Sequence, residues 1–398
     1  MRTAVVFGAG NVGRGLLGQV FSEAGLEVVF VDVADQLIAA LNHDRSYLHI
    51  TVDNDSRREV VISPVRAVRA DDPEAVREVL HDAAIAATCV GARILPAVCR
   101  SIAPALLARV RAGRPPLNLL LAENLHGAAA KVRDWLQEAE PELNDSVLAR
   151  VGLVSTSIGR MIPAPGEAVT RLGVAAIEVE PYHFLPIDAA AIRGDFPTVP
   201  ALVADPTVDF DFYSDRKLFL HNMGHATCAY LGRLRADTFV WQTMARPELR
   251  SIVRGAMVES TCALASRYRR PAGPLLDHVD DLLHRFANRA LGDTNERVGR
   301  DPRRKLAADD RFIGAIELCR QGGIAARHIS LGLAAGLHGL AAEEGLTHQQ
   351  CAVFLAAQGL DPQEAGLVSE YLQALEAGSD SDGLMAIMDR RFSESQIP

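Results

Sequence analysis

The sequence predicts an α/β protein in which an N-terminal doubly wound parallel sheet is followed by a C-terminal, mostly α-helical domain. Over the first half of the chain, apolar runs rich in β-branched residues alternate with segments of helical periodicity. From about Asp215 onward, nearly every segment has helical periodicity and the β-branched runs disappear. A Pro-rich stretch at 196–206 lies near this change. We therefore predict two domains, residues 1–193 and 194–398.

The first 32 residues predict a β-α-β unit. An apolar run at 2–7 is followed by a glycine-rich turn and then by apolar residues at helical spacing. A second apolar run at 26–31 ends at Asp32. A strand, a glycine turn, a helix and a second strand in this order are typical of a parallel sheet.

The alternation of strands and helices continues through the N-terminal half. Asp72 is predicted to cap a helix that has Pro73 in its first turn. The polar, β-rich segment 47–70 predicts additional strands. The other predicted helices are 35–42, 95–112 and 128–139, and the predicted strands are 83–90, 117–122, 151–155 and 172–179.

Composition and charge limit the possible partners. The chain has 398 residues, 48% of them hydrophobic and 23% charged, as is typical of soluble globular proteins. With 41 Lys and Arg against 50 Asp and Glu, the net charge is −9. A negatively charged protein binds nucleic acids and membrane surfaces poorly, so we predict neither as a partner. We expect a small-molecule substrate and a monomer or homodimer.

The cysteines and the N-terminus favour a cytoplasmic location. None of the 6 cysteines forms a C-x-x-C pair, which argues against a zinc site or a disulfide framework. The N-terminus runs directly into a strand and a glycine turn, unlike a signal peptide. No apolar run is long enough to predict a transmembrane helix.

A glycine motif between the first strand and helix predicts a Rossmann-type dinucleotide site. Gly8 permits a tight turn, Gly10 lets the backbone approach a pyrophosphate, and Gly13 allows close packing of helix and strand. The helix N-terminus then faces the phosphates. Asp32, at the end of the second strand, favours the ribose hydroxyl of NAD over the 2′-phosphate of NADP, unless Arg14 or a residue after Asp32 reverses this preference. The alternative is a glycine turn that serves packing alone. The predicted cofactor-binding residues here are Gly8, Ala9, Gly10, Asn11, Val12, Gly13 and Asp32.

Two later strands also end in candidate binding residues. Ligands of doubly wound sheets lie beyond the carboxyl ends of the strands. Gly91 and Glu123 follow such strands and are predicted to line the cofactor site. Asn124 is a candidate hydrogen-bond donor to a substrate or nicotinamide group, and the alternative is that it caps the next helix.

The stretch 217–225 predicts a reactive helix face. At about 100° per residue, Lys217, His221, Asn222 and His225 fall on one side of an α-helix. A lysine with a lowered pKa can accept a proton from a substrate hydroxyl, and an asparagine amide can stabilise the resulting oxyanion. The alternatives are a solvated face, hydrogen-bonded core histidines, or a metal site at His221 and His225, although the pattern lacks the glutamate of H-E-x-x-H and an obvious third ligand.

The stretches FGAGNVGRGLLG, KLFLHNMGH and ERVGRDPRRKL together resemble the polyol-specific long-chain dehydrogenase/reductase family over roughly residues 3–340. The resemblance implies an NAD-linked, metal-independent enzyme that interconverts mannitol 1-phosphate and fructose 6-phosphate. It implies that Lys217 is the general acid/base, that Asn222 and Asn124 stabilise the oxyanion, that His225 orients the substrate, and that Lys305 lines the site. The sequence departs from the family at Gly159, where members usually carry Asp before the arginine, so the exact polyol is left open.

A basic segment at 297–311 contains six cations and three acids. Asp301 and Pro302 predict a helix start, which places Arg303, Arg304 and Lys305 in a first turn where the helix dipole disfavours cations. A bound anion would relieve this conflict. We predict that Arg300 or Arg304, with Lys305, holds a substrate phosphate, and that His221 also contacts the substrate. The alternative is a solvated charged face partnered by Asp309, Asp310 and Glu296.

We therefore predict a dehydrogenase whose substrate lies between a sheet domain that binds NAD and a helical domain that supplies the catalytic lysine. One alternative keeps this chemistry on a free polyol, such as mannitol oxidised to fructose, or on a hexonate. A second is a nucleotide-binding protein without catalysis, against which the set Lys217, Asn222 and His225 argues. A third is a metal-dependent dehydrogenase.

Overall fold

The computed structural model describes residues 2–163, 165–379, 383–384 and 386–387. The chain divides into two compact units, Met1–Tyr213 and Ser214–Pro398. This division falls later in the chain than the domain boundary predicted at residues 193 and 194, which stays a prediction. Each unit is described separately below.

The first unit is built on a six-stranded parallel sheet. Two strands, β1 and β2, belong to the predicted β-α-β unit. The described strands of this unit are β1 (Thr3–Phe7), β2 (Glu27–Asp32), β3 (Tyr47–Asp53), β4 (Ser56–Ile62), β5 (Val65–Arg69), β6 (Ala83–Thr88), β7 (Leu117–Leu121), β8 (Val151–Ser155), β9 (Ile177–Val179), β10 (Leu185–Pro186) and β11 (Leu202–Val203). The order in the sheet is β5-β2-β1-β6-β7-β8, so the chain winds outward on both sides of β1.

Apolar layers cover both faces of this sheet. Along β1, Val5 and Phe7 belong to one buried cluster, whereas Ala4 and Val6 belong to the other. The helices that supply these layers are α1 (Gly18–Glu23), α2 (Asp35–Asp44), α3 (Pro73–Asp82), α4 (Leu95–Arg111), α5 (Ala128–Ala139) and α6 (Asp145–Leu148). The unit also contains the short helix α7 (Glu167–Thr170). Burial of a strand on both faces is typical of a parallel sheet.

Details of this unit confirm most local predictions and correct one. The Asp72 carboxylate accepts a hydrogen bond of 3.1 Å from the Ala75 N–H, as predicted for a helix cap. The segment 47–70 forms strands, with β3 and β4 pairing as an antiparallel hairpin beside β9. The strand predicted at 172–179 is wrong over its first half, because the last turn of α7 continues through Leu172 and leaves Leu172 and Val174 exposed. Only Ile177–Val179 is extended in a sheet.

The regular elements that the structure describes in the second unit are helices, and an isolated β-bridge joins Phe239 and Thr294. Its helices are α9 (Met223–Leu234), α10 (Val240–Met244), α11 (Pro247–Tyr268), α12 (Gly273–Phe286), α13 (Asn295–Gly299), α14 (Pro302–Lys305), α15 (Ile313–Gln321), α16 (Arg327–Glu344), α17 (His348–Ala357) and α18 (Pro362–Glu376), after α8 (Phe210–Asp215) at the division. Gly336 lets α16 approach α9, because a Cβ there would lie 2.7 Å from the Tyr230 ring. Within the described part of the chain, no helix has the length and apolar character needed to cross a membrane.

Two helical turns are wider than an α-helix. Met223 donates its N–H to the carbonyl of Leu218, five residues earlier, at the end of the π-helical turn Arg216–Asn222. Gly18 donates to Gly13 in the same way after the turn Gly13–Leu17. The stretch from Lys217 was predicted as a regular α-helix, and that prediction is wrong because the 3.6-residue spacing of apolar side chains does not reveal a single five-residue step.

Candidate active site

The glycine loop after β1 has the geometry that the motif predicts. Gly8 adopts a left-handed backbone with φ of 100°, which only glycine takes without strain. A Cβ on residue 13 would collide with the Gly8 carbonyl oxygen, whereas a Cβ on Gly10 would meet nothing within 4 Å. Gly13 is therefore required for packing, and Gly10 faces space into which a ligand can come close to the backbone.

The carboxylate of Asp32 is held by the backbone around this loop. It accepts hydrogen bonds from the N–H groups of Ala9 (2.6 Å), Val33 (2.7 Å) and Ala34 (2.9 Å). Val33 is apolar and 67% exposed, so the residue after Asp32 offers no charge to a 2′-phosphate.

Arg14 cannot serve a 2′-phosphate from its position. Its guanidinium is buried and donates to the carbonyl oxygens of Ala9 and Ala175, each at 2.6 Å. Of the remaining predicted loop residues, Asn11 donates to the carbonyl of Pro163 at 3.3 Å, and Val12 is half-buried. Neither Arg14 nor Val33, the residue directly after Asp32, therefore offers a charge to a 2′-phosphate in this structure.

The ends of β6 and β7 are tied together by Glu123. Its buried carboxylate accepts hydrogen bonds from the Thr88 hydroxyl (2.8 Å) and the Val90 N–H (3.0 Å). Burial raises the pKa of Glu123, although these two hydrogen bonds oppose the shift. Gly91, with φ of 84°, follows directly, and a Cβ there would meet nothing within 4 Å.

Asn124 is exposed just beyond β7. Gly127, with φ of 64°, occupies the N-cap position of α5, and no side chain caps this helix. The alternative that Asn124 is a helix cap is therefore wrong. No other described residue hydrogen-bonds to the Asn124 amide, so it is available to a ligand.

In the second unit, the wide turn Arg216–Asn222 carries Lys217, His221 and Asn222, and His225 follows in the first turn of α9. The Lys217 side chain is half-buried and has no hydrogen-bond or ion-pair partner among the described residues. Burial lowers the pKa of Lys217 to about 8, and the charge of Arg311 acts in the same direction. The half-buried Asn222 amide also has no partner among the described residues.

The two histidines have different surroundings. His221 is buried, and burial together with Arg285 and other nearby cations places its pKa well below the usual value. The ring of His225 stacks on Phe286 with centroids 4.7 Å apart, and its Nε2 lies 3.3 Å from an Asp293 carboxylate oxygen. Among the residues that the structure describes, no group of three or more His, Cys, Asp and Glu side chains is placed to hold a metal ion.

Most cations of the basic segment are already paired. Arg297 contacts Asp293, Arg303 contacts Glu344, and Arg311 contacts Asp310. Arg304 contacts Asp301 at 2.7 Å and Asp310 at 3.1 Å. These side chains are thus paired with acids, but Asp310 is the only partner named beforehand that these ion pairs include, and Arg311 is buried and not solvated.

The helix start at Asp301 differs from the prediction. Asp301 has a left-handed backbone, with φ of 60°, and its carboxylate bonds Arg304 instead of capping the helix. The helix Pro302–Lys305 has only 4 residues, so its dipole is too short to attract an anion strongly. The predicted cap is wrong because a side-chain ion pair replaces it.

Lys305 and Arg300 differ in how many of their side-chain hydrogen-bond donors are free to bind a ligand. The buried Lys305 ammonium donates to the carbonyls of Val298 (2.5 Å) and Arg300. Burial and Arg311 lower the pKa of Lys305 to about 8. The Arg300 side chain is exposed and has no ion-pair partner among the described residues. The charge of Arg311 thus lowers the pKa of both Lys217 and Lys305.

Gly159, the departure from the family pattern, packs against an aromatic ring. A Cβ at this position would lie 2.9 Å from Cε1 of Tyr182. The neighbouring Arg160 is buried and donates to the carbonyls of Glu180 (2.9 Å) and Gly15 (2.7 Å). An aspartate at position 159 would require Tyr182 to move.

Sequence reasoning missed three residues that shape the site. Phe286 and Asp293 contact His225 from distant parts of the chain, and no local pattern marks them. Arg311 was noted only as one charge of the basic segment. The positive charge of Arg311 was the one signal in the sequence that could have marked it, because a nearby cation helps Lys217 to lose a proton.

Family models match both halves of the chain. Residues 2–199 match the model described as the mannitol dehydrogenase Rossmann domain, and residues 209–349 match the mannitol dehydrogenase C-terminal domain. The mannitol-1-phosphate 5-dehydrogenase of Brevibacillus brevis is 33% identical over 338 residues, covering 84% of this chain and 85% of that protein. That of Caldanaerobacter subterraneus subsp. tengcongensis is 31% identical, covering 85% and 86%.

Solved structures agree on the fold. A Pseudomonas fluorescens mannitol 2-dehydrogenase, in ternary complex with NAD and D-mannitol, has a TM-score of 0.74 at 18% identity, covering 98% of this chain and 94% of that one. A substrate-free D-sorbitol dehydrogenase has a TM-score of 0.77 at 16% identity, covering 96% and 94%. The predicted fold class and the predicted oxidoreductase class are confirmed by the family models and relatives. The chain belongs to the mannitol dehydrogenase family.

Proposed function

We propose that this protein is an NAD-dependent, metal-independent polyol dehydrogenase that interconverts mannitol 1-phosphate and fructose 6-phosphate. The relatives that bear this activity in their names match about 85% of the chain, at 31–33% identity. The observation that carries the mechanism is the half-buried amine of Lys217. Because it has no acidic partner among the described residues and its pKa is lowered to about 8, it can exchange a proton near neutral pH.

The cofactor site fits NAD on this chain's own geometry. The open side of Gly10 and the start of the helix after it suit a pyrophosphate, and Gly8 and Gly13 hold the loop against β1. The Asp32 carboxylate suits a ribose hydroxyl and repels a 2′-phosphate. Bound NAD would supply a hydride acceptor in polyol oxidation and, as NADH, a hydride donor in ketose reduction.

Lys217 moves the proton in this proposal. During oxidation, the neutral amine accepts the hydroxyl proton as the C–H bond gives up its hydride, and the C–O bond becomes a carbonyl. During reduction, the ammonium returns that proton to the oxygen. With a pKa of about 8, roughly a tenth of the amine is neutral at pH 7, so both forms are accessible.

The amides of Asn222 and Asn124 stabilise the developing oxyanion in this proposal. Each donates hydrogen bonds without adding a charge, and neither is committed to another described residue. His225 orients the substrate hydroxyl, and His221, buried and uncharged, is assigned a supporting contact to the substrate.

We propose that Arg300 or Arg304, together with Lys305, holds the phosphate. Arg300 is the best supported of the three, since no described residue pairs with its guanidinium. The Lys305 ammonium has three donors, of which two bond carbonyl oxygens, so one is left for an anion. Arg304 would have to exchange an aspartate for the phosphate.

A free polyol is the second candidate substrate. The pairing of Arg297, Arg303, Arg304 and Arg311 with acids favours it, because a neutral sugar requires no free cations. A cytoplasmic location and a monomeric or homodimeric state stay predictions.

Following NADH absorbance with fructose 6-phosphate, fructose and a keto-acid tests the substrate. We expect the highest kcat/KM for fructose 6-phosphate, and a higher value for fructose would overturn the assignment of a phosphorylated substrate. Arg300→Ala and Arg304→Ala should raise KM for fructose 6-phosphate but not for fructose. If neither variant changes that KM, the phosphate site lies elsewhere.

Lys217→Ala tests the proton transfer. We expect it to lower kcat by orders of magnitude while NADH still binds. Near-normal turnover by this variant would contradict the mechanism. Dialysis against a chelator should leave activity unchanged, and its loss, restored by a divalent metal, would favour metal-dependent chemistry.

A further inference from the structure

The imidazole of His225 lies between an aromatic ring and a carboxylate, and both come from outside the helix that carries it. Its ring stacks on Phe286 at an interplanar angle of 8°. Its Nε2 is 3.3 Å from Oδ2 of Asp293, and these side chains are only 14% and 8% exposed. The two atoms are not aligned as a hydrogen bond in this structure, and neither has a hydrogen bond to another group of the described residues.

Asp293 is fixed in place by contacts on its other atoms. Its Oδ1 accepts a 2.8 Å hydrogen bond from Nε of Arg297, and its carbonyl accepts one of 2.9 Å from the Val240 N–H. Burial alone would raise the pKa of Asp293, but His225 and Arg297 outweigh it and keep the carboxylate ionised. The second oxygen is therefore a fixed anionic group that lies 3.3 Å from one ring nitrogen of His225.

Few other groups compete for that nitrogen. The His221 ring lies 6.2 Å away, centroid to centroid, and is tilted by 55°, too far for a hydrogen bond. The Phe286 ring offers only its face. Among the described residues, the Asp293 carboxylate is the charged group that lies within hydrogen-bonding distance of the His225 ring.

We propose that Asp293 is a positioning residue that acts through His225. Its Oδ2 accepts the Nε2–H hydrogen bond of the imidazole, which fixes the neutral ring in the Nε2–H tautomer and leaves Nδ1 as the acceptor for a substrate hydroxyl. Phe286 fixes the plane of the imidazole ring, and Asp293 fixes the orientation of the ring within that plane. The contact of 3.3 Å in the free protein shortens when substrate binds, as hydrogen bonds in active sites commonly do. This role rests on the proposed contact between His225 and substrate.

Imidazole ¹⁵N NMR tests the tautomer without any turnover. The chain has 12 histidines, so the His225 resonances are assigned by their loss in His225→Gln. We expect the wild-type protein to show His225 as the neutral Nε2–H form, and Asp293→Asn to shift it toward Nδ1–H or toward a mixture. An Nδ1–H form in the wild type, or a spectrum that Asp293→Asn leaves unchanged, would overturn the proposal. Because the wild-type spectrum decides the first point, misfolding of the variant does not remove the test.

Kinetics separate a positioning role from a structural one. Asp293→Asn should lower kcat for fructose 6-phosphate reduction by at least about tenfold, with KM for NADH unchanged. In a His225→Ala background, the same substitution should cost no more than about twofold, because the group through which it acts is gone. Asp293→Glu should recover part of kcat.

Asp280→Asn is the matched control, since Asp280 is exposed and forms an ion pair with Arg254 on the protein surface. It should change neither the spectrum nor kcat. Full additivity of Asp293→Asn and His225→Ala would contradict an action through His225. If no polyol is turned over but the tautomer shifts as described, the proposed function fails while the contact between Asp293 and His225 stands.

Discussion

Arg311 lies near Lys217 in the helical unit, and its positive charge adds to burial in lowering the pKa of the lysine amine. Arg311 is itself buried, and its Nε donates a 2.8 Å hydrogen bond to Asp310, which holds the guanidinium in place. The same arginine also lowers the pKa of Lys305. A fixed cation beside an amine makes the neutral form of that amine more accessible, which is what a proton acceptor requires.

The dependence of kcat/KM on pH should have opposite signs in polyol oxidation and in ketose reduction. In polyol oxidation, Lys217 must be neutral, so kcat/KM should fall as the pH drops below about 8. In ketose reduction, Lys217 must be protonated, so kcat/KM should fall as the pH rises above about 8. Profiles of kcat/KM measured in both directions check this. Two profiles that bend in the same sense would contradict it.

Removing the charge of Arg311 should move that titration. In Arg311→Gln, the Lys217 pKa should rise toward the ordinary value of 10.5, because only burial still lowers it. The acidic limb of the oxidation profile should therefore move to higher pH. Arg320→Gln is the control, since Arg320 is exposed and pairs with Glu317. An unchanged profile in Arg311→Gln would show that burial alone sets the pKa.

Two glycines of one loop should respond differently to the same substitution. Gly13→Ala forces the new methyl group into the Gly8 carbonyl, so the free energy of unfolding should fall by about 1–3 kcal/mol. Gly10→Ala meets no protein atom within 4 Å, so stability should be preserved while NADH binding weakens. Urea unfolding and NADH fluorescence titration measure the two effects. Equal NADH affinity in Gly10→Ala and wild type would argue against a pyrophosphate at this loop.

Asp32 should decide between the two nicotinamide cofactors. Asp32→Asn removes the charge that repels a 2′-phosphate, so the ratio of kcat/KM for NADH to that for NADPH should fall by at least about tenfold. Asp35→Asn serves as the control, because Asp35 pairs with Arg69 on the surface. A ratio that Asp32→Asn leaves unchanged would show that another residue sets the preference.

Buried His49 should make the protein sensitive to acid. Burial lowers its folded-state pKa from 6.5 to about 4, so the neutral ring contributes stability above pH 6.5 that is lost as the pH falls toward 4. The loss amounts to roughly 3 kcal/mol if no other group compensates. Urea unfolding of wild type and His49→Gln across this range measures it. The variant should lose less stability than wild type on acidification, and equal losses would assign the acid sensitivity to other groups.

Local patterns predicted the framework of this protein well. The glycine motif, the helix cap at Asp72 and the bounds of most strands follow from residue type and spacing over a few positions. The relation between Asp293 and His225 could not be predicted, because it depends on how two helices and a loop pack. The ion pairs of the basic segment with Glu344 and Asp293 could not be predicted for the same reason. A pattern of charges in the sequence does not show which distant acid will pair with a given arginine.

The wide turn at Arg216–Asn222 works as an angular offset within one continuous helix. If the same residues formed a regular α-helix instead, the start of this turn would rotate by about 100° relative to α9. Backbone hydrogen bonding would survive this change, but Lys217 would point in a different direction from the side chains that follow. The direction of the lysine therefore depends on the five-residue hydrogen-bond step of this turn as much as on the identity of its residues.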